Sequence, residues 1–326
     1  MKRWLCLGLL CLGAGGAAAE SRALIVCGSG GEEKYSRRLQ DWGLRLQEVL
    51  VQQPDFAADG VVLLTEDGTG DGVSDLAQVE AALEALDGTL EATGQLYVFL
   101  IGHGNFRRQT AKFHLPGIDL SAPDLGRLLE RGKAGRVGVV NSASASASFI
   151  EALSGPQRVI CTSTAQPQER NATFFMEFFI TGLEDGSADR NRDGRIALGE
   201  ACRQAAELTG DWYTQQGRLA SEHALLDDNG DGRGTPLAAG ADGGGKDGQL
   251  AGQLFLRDWA FAAGADPALI AAYRAAIARV ETHIATADTA AGSTAYFRRL
   301  EELLLQAARI NRRLQGEAGV VNTIKH

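Results

Sequence analysis

Short, uninterrupted apolar runs alternate with helical stripes along most of this chain, and each run stops at glycine or a small polar residue. Ala23-Leu24-Ile25-Val26-Cys27 breaks into Gly28-Ser29-Gly30-Gly31, and Val61-Val62-Leu63-Leu64 comes next. Leu96-Tyr97-Val98-Phe99-Leu100-Ile101, the most apolar run, ends at Gly102-His103-Gly104. Val137-Gly138-Val139-Val140 ends at Asn141, and Arg158-Val159-Ile160-Cys161-Thr162 is a fifth run. A strand apolar at every position is buried on both faces, which is the situation of strands in a parallel sheet covered by helices. The intervening stripes are Leu39, Trp42, Leu46 and Leu50, then Leu76, Val79, Leu83 and Leu86, then a helix near Pro123–Arg131. Strand and helix in alternation predict an α/β domain over residues 20–235, with a mainly parallel sheet and helices on both faces.

Composition agrees and narrows the function classes. With 44% hydrophobic and 22% charged residues, the chain is neither a disordered nor a polytopic membrane protein. Its formal charge of −9 argues against nucleic-acid binding, which needs clustered Lys and Arg. The N-terminus carries Lys2 and Arg3, an apolar run from Trp4 to Leu12, and small residues ending Ala17-Ala18-Ala19. This is a signal-peptide pattern with cleavage expected before Glu20, so residues 1–19 are read as an export signal. The apolar run falls short of the ~20 residues that span a bilayer, so no stable membrane anchor is expected after cleavage. Cleavage removes two of the 32 basic side chains and none of the 41 acidic ones, moving the charge to −11. It also leaves Cys27, Cys161 and Cys202, an odd number without CxxC spacing, which disfavours a disulfide framework or zinc site.

Beyond the sheet domain the pattern changes. Residues 236–262 read as a Gly-rich connection, and 263–326 as an antiparallel helical hairpin. Asp266-Pro267 supplies an N-cap and a first-turn proline. Ile270, Tyr273, Ile277, Val280 and Ile284 form one stripe, and Leu300, Leu303, Ala307, Ile310 and Leu314 form the other. Packing of the two stripes against each other is the expected role.

In an open parallel sheet, ligands bind outside the carboxyl ends of the strands. His103 follows one strand, and Ser142, Ser144, Ser146 and Ser148 follow another. On adjacent strands, His103 and a serine would share one edge, the minimum for a base and a nucleophile. Gly104 permits a tight turn, and its N–H with that of Ser144 would serve a developing oxyanion. A structural turn at Gly-His-Gly and a small-residue linker in the Ser/Ala tract are the alternative readings.

The order of these features resembles the legumain (C13) and caspase cysteine peptidases, and also secreted bacterial caspase-like proteins with Ser/Thr-rich tracts. The resemblance spans about residues 22–220. Gly102-His103-Gly104 matches the family's histidine motif, and Ser142-Ala143-Ser144-Ala145-Ser146-Ala147 stands where the cysteine turn belongs. It implies a caspase-like fold, with His103 as base and Ser144 at the nucleophile position. The departure is chemical. A cysteine is readily a thiolate, whereas a serine hydroxyl usually needs a base oriented by a third group, and no carboxylate is evident for that task. Ala147 also replaces the glycine of the family's turn. The resemblance therefore implies a degenerate peptidase that acts by binding a peptide or protein. An active serine hydrolase using Ser144 and His103 is the alternative, and the oligomeric state stays open.

An independent motif points to calcium. Residues 189–200 satisfy D-x-[DN]-x-[DN]-G-x5-E, the pattern of an EF-hand loop. Hard oxygen ligands fall on Asp189, Asn191, Asp193 and Glu200, with the Arg195 backbone carbonyl between and Gly194 at the sharp turn. A weaker second run, Asp227, Asn229 and Asp231, repeats the first half of the motif, but Ala238 stands where the bidentate ligand belongs. Carboxylates from elsewhere, near His223 or Asp242, would have to complete it. Asn171-Ala172-Thr173 fits a glycosylation sequon but reads as a loop entering a helix, and Glu169-Arg170 beside it is placed near the Cys161 strand end.

Overall fold

The computed structural model describes residues 20–237, 247–258, 266–285 and 294–323. Strand β1 (Ser21–Cys27) is buried throughout, and helix α1 (Glu33–Val51) buries Leu39, Trp42, Leu46 and Leu50 as the stripe predicts. Strands β2 (Phe56–Thr65) and β3 (Gly72–Val73) follow, then α2 (Leu76–Gly88), whose first turn is capped by the Asp75 side chain accepting from Gln78 N–H. Strand β4 (Gln95–Ile101) leads directly into a small antiparallel sheet of β5 (Gly104–Arg107), β6 (Thr110–Phe113) and β7 (Leu120–Ser121). Helix α3 (Ala122–Arg131) has Ser121 at its N-cap and a proline in its first turn, as the sequence signals require.

Strand β8 (Arg136–Asn141) runs into the serine tract and the short helix α4 (Ile150–Leu153), and β9 (Arg158–Thr162) is the fifth apolar run. Helix α5 (Phe175–Asp185) precedes the acidic loop 189–200, whose second half is strand β10 (Arg195–Ala197) and the first turn of helix α6 (Leu198–Gln215). Strands β11 (Leu225–Asp227), β12 (Thr235–Pro236) and β13 (Phe255–Asp258) precede α7 (Pro267–Ala285) and α8 (Thr294–Thr323).

The main sheet has the order β12-β11-β9-β8-β4-β1-β2-β3. From β3 to β9 every pairing is parallel, and β11 and β12 extend the edge antiparallel. The fold is thus mixed α/β with a mostly parallel central sheet. Alternate strand residues feed two cores. Ala23, Ile25 and Cys27 face α1, α5 and α6, whereas Leu24 and Val26 face α2, α3 and α4. At about 1.5–3 kcal/mol per buried aliphatic side chain, this packing lets a helix as short as α4 persist, through Ile150 and Leu153.

Two expectations are adjusted. The segment read as a Gly-rich connection supplies β13, which pairs antiparallel with β10, and Leu254 and Leu256 are buried in the sheet core. Residues 238–246, with Ala238, Asp242 and the glycine run, lie outside the described residues, as does the export signal 1–19. The hairpin helices pack through Tyr273, Ile277, Ala307 and Leu314, but Ile284 of the first stripe is 52% exposed. At this end of α7 it is His283, stacked on Tyr296 of α8, that meets the partner helix.

Candidate functional site

From β1 the chain moves outward through β2 to β3, then crosses back to β4 on the other side of β1. The gap between the carboxyl ends of β1 and β4 is therefore the topological switch point, where open α/β sheets bind ligands. His103 stands there, two residues past the end of β4. The small sheet holds its backbone, because His114 N–H donates to the His103 carbonyl at 2.9 Å. The edge of the Tyr35 ring meets the His103 ring at 5.3 Å between centroids. Burial lowers the imidazole pKa, and the neighbouring His114 and Arg38 charges push it the same way.

Arg38, one turn further along α1, is enclosed by rings. Its guanidinium carbon lies 5.2 Å from the Tyr35 ring centroid, 4.8 Å from Trp42 and 5.1 Å from Phe174. Arg38 Nε is buried without a hydrogen-bond partner. Neither Tyr35 nor Arg38 was singled out by pattern, although both open the helix that follows the Gly28–Gly31 break.

Strand β8 lies beside β4, with Leu100 opposite Asn141, so the serine tract emerges next to His103 as expected. What the hydroxyls do there is structural. Ser142 Oγ donates to the Leu100 carbonyl at 3.0 Å, and Ser146 Oγ lies 2.9 Å from Thr164 Oγ1 and accepts from Thr164 N–H. Ser163 Oγ donates to the Ala143 carbonyl, and Thr173 Oγ1 to that of Ser142. Ser144 Oγ accepts from Gly104 N–H at 3.1 Å and donates to the Gly104 carbonyl at 3.1 Å. The Gly104 N–H expected to serve an oxyanion is thus already bonded to the expected nucleophile. No hydrogen bond joins Ser144 to His103.

The turn itself bends at Ala145, whose φ of 55° is left-handed, and Ala145 N–H donates to the Glu169 carbonyl at 2.8 Å. Position 147, where the family resemblance wants glycine, does not carry the positive φ. Gly104 is required for a different reason. A Cβ there would sit 2.7 Å from the Ser144 carbonyl oxygen and 2.9 Å from that of Lys112.

The histidine oriented by a carboxylate is His223. Its Nδ1 bonds Glu169, whose other oxygen accepts from Ala165 N–H at 2.6 Å. Glu169 therefore lies near the β9 end, as its sequence position suggests, but it serves His223 rather than His103. His223 is accordingly not available to the second acidic loop.

The loop 189–200 closes on itself through side-chain to backbone hydrogen bonds. Arg192 and Gly194 are left-handed, with φ of 59° and 82°. Asp189 accepts from the N–H groups of Asp193 and Gly194, Asn191 from Asp193, and Asp193 from Arg195. Glu200, at the bidentate position, reaches back to the N–H groups of Arg190, Asn191 and Ala197. Burial raises the pKa of Asp189 and Asp193, and it pushes Glu200 up to about 7 against the pull of the Ala197 and Asn191 amides. Among the described residues, no three His, Cys, Asp or Glu side chains converge on a common point. The donor set suits calcium, with Glu200 having to exchange backbone amides for the ion. Helix α7 touches this loop, since Tyr273 Oη donates to the Arg192 carbonyl at 2.6 Å.

No protein-family model matches the chain, and no curated protein matches it significantly. Among solved structures, it is similar to protein GSU0716 from Geobacter sulfurreducens, at 12% identity and a TM-score of 0.41. That similarity covers 64% of this chain and 92% of the other, and it carries no assignment of family or activity.

Proposed function

We propose that this chain is an exported protein with a caspase- or legumain-like peptidase fold that has lost peptidase chemistry and acts by binding a peptide or protein. The observation that carries the reading is the double hydrogen bond between Ser144 Oγ and the Gly104 peptide. A serine nucleophile needs its proton directed at a base, and here the proton is given to a buried backbone carbonyl. Among the described residues no carboxylate bonds His103 at the switch point, and burial lowers its pKa. Tyr35 and the ring-enclosed Arg38 remain at the same edge as a surface for recognition.

A calcium ion in the loop 189–200 completes the proposal. It would neutralise Asp189, Asp193 and Glu200 and hold the loop against α7. Its role there is structural, as suits export to a calcium-rich compartment.

Labelling with a fluorophosphonate probe in calcium tests the first part. We expect no covalent adduct; labelling abolished by Ser144→Ala would instead establish an active serine hydrolase. Calorimetric titration with calcium tests the second. One calcium ion fewer than in the wild type should bind in Asp189→Ala and in Glu200→Ala, and an unchanged stoichiometry and affinity in both would remove the loop from the proposal.

A further inference from the structure

We infer that the turn Asp227–Asp231 is a second divalent-cation site, with Asp227 and Asp231 as carboxylate ligands and the Asn229 side-chain oxygen between them. The key atom is Asp227 Oδ2. Asp227 is 1% exposed, and Oδ2 is buried with no hydrogen-bond partner. Its sister oxygen, Oδ1, accepts from Gly230 N–H at 3.2 Å, which turns the carboxylate into the loop. Ser154, whose Oγ accepts from Gly232 N–H at 3.0 Å, is the hydroxyl that favours the ionised form of Asp227, and Oδ2 still lacks a hydrogen-bond partner. Leaving an anionic oxygen buried and unpaired is costly, and a cation is the partner that removes the cost.

The rest of the turn is arranged around that oxygen. Asn229 Oδ1 accepts from Asp231 N–H at 2.8 Å, and Asp231 Oδ1 from Arg233 N–H at 2.9 Å. Each bond uses one acceptor position and leaves others for an ion. Gly230 and Gly232 are left-handed, at φ of 77° and 75°, as Arg192 and Gly194 are in the first loop. The charges acting most strongly on Asp227 are the negative ones of Asp247 and Asp231. Asp247 accepts from Asp228 N–H at 3.1 Å and from Thr235 Oγ1, which holds a further negative charge beside the turn without bringing it to a common point with Asp227 and Asp231. Oxygen donors alone, with no sulfur or imidazole, select a hard ion such as calcium.

The turn shares no residue with the first loop. Strand β11 runs antiparallel to β9, placing Asp227 opposite Ile160, away from the carboxyl ends where His103 and Ser144 sit. Asp228 accepts from Gly248 and Ala251 N–H, so an ion here would tie the sheet edge to the segment that enters β13.

The test is calcium titration calorimetry of the whole protein carrying Asp189→Ala and Glu200→Ala, which removes the first loop. We expect that protein to bind one calcium ion, and we expect added Asp231→Ala or Asp231→Asn to weaken binding at least tenfold. Asp231 is exposed, so either variant should fold, and circular dichroism verifies it. An unchanged affinity in both Asp231 variants overturns the site. So does a first-loop variant that binds no calcium while the wild type binds one ion, which leaves the first loop's calcium intact. A wild type that binds none overturns both.

Discussion

Ser144 Oγ and the Gly104 peptide are bonded to each other twice, each bond 3.1 Å long, in a setting where Ser144 is 4% exposed. The pair ties the end of β8 to the start of the small sheet that covers the strand ends. Truncation should therefore register as lost stability. Ser144→Ala leaves a buried N–H and carbonyl unpaired, and we expect about 1–3 kcal/mol of destabilisation, read as a lower urea midpoint at constant m-value. A neutral result would mean that water replaces the hydroxyl and that the lock is weak.

Gly104→Ala probes the same contact from the other side. The added methyl would overlap two backbone oxygens, at 2.7 and 2.9 Å, and neither is the free end of a flexible side chain. Overpacking of this kind costs about 1–3 kcal/mol. Thermal denaturation should show a lower midpoint for this variant, whereas Gly88→Ala, with open space around it, should not show an overpacking loss.

His103 makes stability depend on pH. Its pKa in the folded protein is lowered from 6.5, so below that value the unfolded chain takes up a proton more readily than the native one. The contribution of His103 is complete above 6.5 and is lost as pH falls through its lowered pKa. The stability difference between wild type and His103→Gln should then flatten above 6.5 and change as the pH falls below it. Titration of the His103 ring signals by NMR gives the midpoint directly, and a midpoint at or above 6.5 would contradict the assignment.

Cys27, Cys161 and Cys202, the three cysteines among the described residues, should be inert in the native state. All are buried, and burial pushes the Cys27 thiol up to about 12, so thiolate is scarce at neutral pH. In a chain prepared to begin at Glu20, a thiol-reactive chromophore should titrate none in the folded protein and three after denaturation. Rapid native labelling would show that the sheet opens locally.

Tyr273→Phe isolates the link between the hairpin and the acidic loop. Losing the 2.6 Å bond to the Arg192 carbonyl should cost about 1 kcal/mol. If that bond helps to dock α7, limited proteolysis should cut the hairpin sooner in the variant than in the wild type.

The strands and their order of appearance were legible in the sequence, because a run apolar at every position has few folded environments open to it. Ala23–Cys27, Leu96–Ile101 and Val137–Val140 are each buried strands, and the stripe Leu39, Trp42, Leu46 and Leu50 is the buried face of α1. The turn Asp189–Gly194 was legible too, since its acceptor side chains and its glycine sit at fixed offsets along one local turn. The small sheet β5-β6-β7 was not, because its strands are two to four residues long and carry no sustained alternation. Leu254 and Leu256 were hidden by the glycine run before them.

The chemistry of the strand ends was decided only by tertiary structure. Sequence placed His103 and Ser144 on one edge, but not the direction of either side chain. That direction depends on partners far along the chain: Gly104 for Ser144, Tyr35 for His103, Glu169 for His223, and the rings of Trp42 and Phe174 for Arg38. Spacing along a strand fixes which face a residue takes. Hydrogen bonds between residues 40 or more positions apart fix what its atoms are free to do, and only the folded chain brings those atoms together.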